Sequence, residues 1–179
     1  MQTTNRTETA TTWRKIVTQR PLAGALVAGF VATHLATVIG FWFHGLSFKS
    51  GAGLPDLSWP FFNGLLLVGA KSSFLSQFWA GSVYHYLTGI CFSLTYCFLI
   101  FPRFRGKNTV GGNVTKGVIF GLVLGTISAL WWVPHLFPDF HPGFFSHNLG
   151  WNTVVGIYLW HIIYGLNLGA FYSPLPAEG

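Results

Sequence analysis

Four stretches without a single Lys, Arg, Asp or Glu dominate this sequence: Pro21 to His44, Phe78 to Phe101, Gly117 to Val133 and Trp151 to Tyr172. Each is near the roughly 20 apolar residues that an α-helix needs to cross the hydrocarbon of a bilayer. Composition agrees, with 51% hydrophobic and 8% charged residues, where a soluble domain carries about 25% charged. Such a surface is made to face something other than water. The expected fold is all-α: a polytopic transmembrane four-helix bundle within residues 20–173, with spans at about 21–45, 77–101, 115–134 and 151–172. A fifth apolar stretch, Pro60 to Ala70, is about half as long as a span and is expected to be a re-entrant or interfacial segment of the first loop.

Basic residues set the expected orientation. Arg14, Lys15 and Arg20 precede the first span, and Arg103, Arg105, Lys107 and Lys116 join the second to the third. The loop after the third span carries Asp139 and no Lys or Arg. The positive-inside rule then places the N-terminus, the second loop and the C-terminus in the cytoplasm of a multi-pass protein of the cell (inner) membrane. Trp42, Trp59, Trp79, Trp131, Trp132 and Trp151 fall at the opposite boundary, as an interfacial belt would. The net charge of +6 is thus a matter of topology, and no nucleic-acid partner is expected. Residues 1–19 read as a disordered basic tail and 174–179 as a C-terminal tail. The first has no apolar core for a signal peptide, and Gln2 stands where myristoylation would need glycine. Cys91 and Cys97, about 240° apart on one helix, cannot bridge each other.

The two halves look like tandem helical hairpins. His85 is followed by Gly89 and Tyr96, and His161 at the same intervals by Gly165 and Tyr172. Small residues recur every fourth position in the first span (Gly24, Ala28, Ala32, Ala36, Gly40) and the third (Gly117, Gly121, Gly125, Ala129). Lipid gives helices no hydrophobic drive to associate, so close backbone approach over such stripes must supply the contact. His85 and His161 lie on the small-residue faces of their own spans and are expected to point into the bundle. His34 lies off its stripe and needs a partner elsewhere, on the second span or a second protein.

The last helix, with His161, Tyr164, Gly165, Gly169 and Tyr172 in the pattern His-x-x-Tyr-Gly-x-x-x-Gly-x-x-Tyr, resembles a family of small uncharacterised bacterial membrane proteins with about four spans. The resemblance implies the four-span fold and brings no activity with it.

Chemistry could sit in two places. Inward imidazoles at His85 and His161 could be the axial ligands of a b-type haem, with Gly89 and Gly165 leaving room for the macrocycle. His44, His135, Asp139, His141 and His147, grouped towards the outer side, suit Zn²⁺ or Cu²⁺ by ligand type. Against these stands ordinary hydrogen bonding of each histidine to a neighbouring helix, with His34, Tyr96 and Tyr172 as further intramembrane polar groups. The acids are Glu8, Asp56, Asp139 and Glu178, and none falls in a span, so no catalytic constellation can be placed. The expected role is a non-catalytic helical subunit or assembly partner in a membrane complex, or a homo-oligomer. A haem- or metal-binding electron-transfer protein and a small transporter or channel are the alternatives.

Overall fold

Helices form where the apolar runs demand them, and their ends are written in a few polar residues. The computed structural model describes residues 12–50, 59–105 and 108–175, with the side chains of residues 41–50 and 139 outside that description. A short helix α1 covers residues 12–19. It is followed by α2 (Pro21–Ser50), α3 (Trp59–Val68), α4 (Phe74–Thr95), α5 (Val110–Ile127), α6 (Val133–Leu136) and α7 (Trp151–Phe171). A π turn, Tyr96–Ile100, and a 3-10 turn, Phe101–Arg103, prolong α4; a second π turn, Ser128–Trp132, joins α5 to α6. Among the described residues there is no strand. Four helical stretches are long and apolar enough to cross a membrane: Pro21–Gly40, Phe74–Arg103, Val110–Leu136 and Trp151–Phe171.

The second and third of these begin earlier than hydropathy alone suggests, because each has a side-chain cap. Ser73 Oγ accepts the Ser76 N–H at 3.2 Å, and Thr109 Oγ1 accepts the Gly112 N–H at 3.1 Å. Each cap satisfies one of the donors a helix start leaves open. The earlier start carries Lys116 into α5. Its ammonium donates to Asn108 Oδ1 at 2.9 Å and Asn113 Oδ1 at 3.3 Å and lies 4.7 Å from the centre of the Phe101 ring. A charge read as part of a loop is therefore held within the bundle end.

Packing is backbone against backbone. In α5 and α7, a Cβ at Gly117 would overlap the Gly165 carbonyl, one at Gly121 the His161 carbonyl, and one at Gly169 the Asn113 carbonyl. The stripe in α2 is buried, with Ala28, Ala32 and Ala36 fully so. Its neighbouring face meets α4: Gly29 lies against Ser93, and Thr33 fills the space beside Gly89. Ser93 Oγ adds a 2.7 Å bond to the Ala25 carbonyl. The order of contact is α4 on α2, α2 on α7, and α7 on α5. Between α4 and α5 the backbones stay apart, and aromatic pairs such as Phe92–Trp132 (6.4 Å between ring centres) and Tyr96–Phe120 (5.0 Å) bridge the gap.

Two segments outside the four long helices also take helical form. The stretch from Pro60 to Ala70 is largely the ten-residue helix α3, laid along α4 where Gly81 sits against the Pro60 carbonyl and Gly64 against Gln77. It ends at Gly69, whose φ of 78° is the left-handed turn that stops a helix. Of the expected disordered tail, residues 12–19 instead form α1, while residues 1–11 lie outside the described residues. Trp13 Nε1 donates to the Phe171 carbonyl at 2.7 Å. Arg14 donates to the carbonyls of Asn108 (2.6 Å), Pro174 (3.0 Å) and Ser173 (3.1 Å). These bonds tie α1 to the end of α7 and to the second loop.

Candidate functional site

His85 and His161 line one cavity, and each is anchored to the long helix that precedes its own. His85 Nε2 pairs with Thr37 Oγ1 at 3.1 Å, and its Nδ1 with the Asn63 amide at 3.3 Å. His161 Nε2 pairs with Ser128 Oγ at 3.1 Å, and its Nδ1 donates to the Ile157 carbonyl at 2.7 Å. The Trp160 ring touches both imidazoles, with ring centres 4.8 Å from His85 and 5.2 Å from His161. The same indole stacks on Tyr164 at 5.5 Å, and Tyr164 donates its hydroxyl to the Gly89 carbonyl at 2.6 Å. A polar layer thus crosses the bundle from Asn63 through both histidines to Ser128.

An axial haem ligand must offer a ring nitrogen to iron. All four ring nitrogens here are engaged in hydrogen bonds, and a Cβ at either glycine would meet a neighbouring helix. Thr33 occupies the space at Gly89, and the Gly117 carbonyl that at Gly165. His85, Gly89 and His161 border a partly open cavity of about 70 Å³ between α3, α4, the α5–α6 helix and α7.

The other candidate residues lie apart from this layer. His34 is on the outer surface of α2, its Nδ1 2.7 Å from the Tyr86 hydroxyl of α4 and its ring stacked beside Phe30 at 6.0 Å. Tyr96 and Tyr172 are both buried and meet across Phe101, at 5.7 and 5.4 Å. His135 Nδ1 donates to the Trp131 carbonyl at 2.7 Å, and His147 Nδ1 to that of Phe144 at 3.3 Å, both within their own helical turns. His141 is held with φ at 46° in the loop between them. The side chains of His44 and Asp139 lie outside the described residues. Among the described residues, no three His, Cys, Asp or Glu side chains come together to hold a metal ion.

That loop is nonetheless ordered by polar contacts. The buried Ser146 hydroxyl donates to the Ala129 carbonyl inside the π turn at 2.7 Å, while Phe145 and Ser146 both adopt positive φ. Two such non-glycine residues in succession store backbone strain, which the surrounding contacts must hold.

Sequence reasoning missed Asn63, Ser128 and Trp160 as members of the layer. Asn63 had a signal: it is the only strongly polar side chain within an otherwise apolar run. Trp160 had none beyond adjacency to His161. No known protein family matches the chain, and no curated protein or solved structure is similar to it.

Proposed function

We propose that this chain is a non-catalytic, multi-pass membrane protein that works as a helical subunit or assembly partner in a membrane complex. The observation that carries the reading is His34. It lies inside the Pro21–Gly40 candidate span, yet its imidazole stays exposed after bonding Tyr86. A polar ring turned to hydrocarbon is costly, and such residues usually face protein or a water-filled path. Phe30, stacked beside it, and Val38 are exposed on α2, and Val83 and Leu87 are exposed on α4. A helix laid over this patch would cover the imidazole and give it a second hydrogen-bonding neighbour.

Orientation with both ends in the cytoplasm is supported by Arg14 and Lys116, which share Asn108 at one end of the bundle. A tandem-hairpin organisation is supported by the matched pairs of His85 with Thr37 and His161 with Ser128.

Photo-crosslinking in intact membranes tests the assembly reading. A photoreactive residue at Val38 or Leu87 is expected to trap a neighbour, and one at Val123 on α5 to trap none. His34→Leu should reduce the trapped species several-fold. The reading fails if Val38 and Leu87 give no adduct and native mass spectrometry in mild detergent finds only the lone chain.

A further inference from the structure

We propose that the exposed face of α2 and α4 pairs with the same face of a second copy of this chain, through reciprocal hydrogen bonds between His34 of each copy and the partner's Tyr86. The inference rests on the assembly reading and names the occupant of that face.

His34 and Tyr86 leave one donor and one acceptor unspent between them. His34 Nδ1 lies 2.7 Å from the Tyr86 hydroxyl, and Nε2 of the same exposed ring has no partner among the described residues. A neutral imidazole has one nitrogen that donates and one that accepts, and a phenol does both. If the phenol donates to Nδ1, His34 keeps an Nε2–H donor and the Tyr86 oxygen keeps an acceptor. If Nδ1–H donates instead, Nε2 is the acceptor and the phenolic O–H the donor. Either tautomer leaves a complementary pair, and polar groups left unpaired in hydrocarbon are costly.

A two-fold axis matches these groups to themselves. In an isologous contact, each copy receives at one point what it offers at another. Copies inserted the same way round share an axis along the membrane normal, so both His34 rings lie at one depth. Tyr86 lies at that depth too, because it touches His34. The axis sets each His34 Nε2 against the partner's Tyr86 hydroxyl, closing a ring of four hydrogen bonds. An unrelated helix would need its own donor and acceptor at this depth; a second copy brings both by construction.

Apolar side chains flank the pair. The exposed Phe30 ring lies 6.0 Å from the His34 ring and 5.3 Å from that of Tyr86. Phe30, His34 and Val38 follow one another at four-residue steps on α2, as Val83 and Leu87 do on α4, and all five are exposed. The two helices run antiparallel, since Gly29 meets Ser93, Thr33 meets Gly89 and Thr37 bonds His85. Val38 and Val83 therefore lie at similar depth, where α2 of one copy would pack on α4 of the other. In lipid, such side-chain packing and interhelical hydrogen bonds are what hold helices together.

Energy transfer between two dye-labelled populations of the full-length chain, reconstituted together in phosphatidylcholine vesicles, reads the association. Wild type is expected to show transfer that falls on dilution with lipid and is competed away by unlabelled chain. His34→Leu and Tyr86→Phe should each weaken the dimer about tenfold, because each removes both intermolecular hydrogen bonds. Val123→Ala, at an exposed position of α5, should leave it unchanged. The decisive sample mixes the two variants. A His34→Leu chain beside a Tyr86→Phe chain regains one of the two reciprocal bonds, so the mixed dimer should be several-fold tighter than either variant's own. A role confined to the bond within one chain predicts no such preference, since that bond is lost in both variants. The proposal is overturned if wild type shows only the transfer of randomly placed chains, or if the mixed dimer is no tighter than the variants alone. Photo-adducts at Val38 or Leu87 in membranes holding two differently tagged copies separate this inference from the reading beneath it. Adducts carrying both tags support the second copy; adducts holding only another protein sink this inference and leave the assembly reading standing; no adduct at all ends both.

Discussion

Gly165→Leu is expected to abolish the folded bundle. A Cβ at Gly165 would overlap the Gly117 carbonyl, and one at Gly117 would overlap the Gly165 carbonyl, so neither helix has room for any side chain. The obstacles are backbone atoms, which cannot swing aside as a side-chain end can. The pair must separate, and with it the contacts of Gly121 with His161 and of Gly169 with Asn113. In lipid this close approach is itself the driving force for association. The gain of about 1 kcal/mol from replacing a helical glycine cannot offset an overpacked interface, and the expected loss exceeds about 4 kcal/mol, the range of the severest single substitutions. Unfolding in mixed micelles, followed by tryptophan fluorescence, should show no cooperative transition for Gly165→Leu. Gly111→Ala is the control, because nothing lies within 4 Å of its added Cβ; it should be neutral or more stable by up to about 1 kcal/mol. A wild-type transition in the leucine variant would refute the α5–α7 packing.

Arg14→Ala is expected to release α1 from the segment that follows α7. One guanidinium holds three carbonyls from two separate segments, Asn108 in the second loop and Ser173 and Pro174 after α7. Hydrogen bonds from a charged donor are worth about 1.5–3 kcal/mol each, and water at the end of the bundle can replace part of that. A net cost of about 2–3 kcal/mol follows. Lysine supplies a point charge without the planar fork, so Arg14→Lys should recover less than half. Hydrogen exchange is the direct measurement, because the Leu175 amide donates to Thr18 Oγ1 at 2.9 Å across the same junction. Exchange over residues 172–175 should accelerate strongly in Arg14→Ala. Unchanged protection there would show that Arg14 does not hold α1 to that segment.

What was legible in the sequence were the properties of single helices. An uncharged run of 20 residues has few readings, and four such runs are four long apolar helices. The turn of His85 and His161 into the bundle followed from the small residues on their faces. Properties that arise between helices were hidden. Gly89 and Gly165 read equally well as openings for a flat ring or as seats for a neighbour; Thr33 and the Gly117 backbone, which fill them, come from helices with no local sequence link. Lys116 read as a loop charge because its partners, Asn108 and Asn113, acquire meaning only once α5 has started at Val110. Residues 12–19 looked like a tail for the same reason: the acceptor for Trp13 lies 158 residues away. The short α3 was half legible. Its apolarity was plain, but its place depends on Gly81 admitting the Pro60 carbonyl.

The junction of α1 with residues 171–175 has a consequence for the order of events during synthesis. The Trp13 indole and its acceptor at Phe171 are 158 residues apart, and Arg14 is as far from Ser173 and Pro174. α1 can therefore be fastened to α7 only after all the helices between them have been made. A nascent chain stalled before Phe171 leaves the Trp13 indole without its acceptor and Arg14 with the Asn108 carbonyl alone of its three.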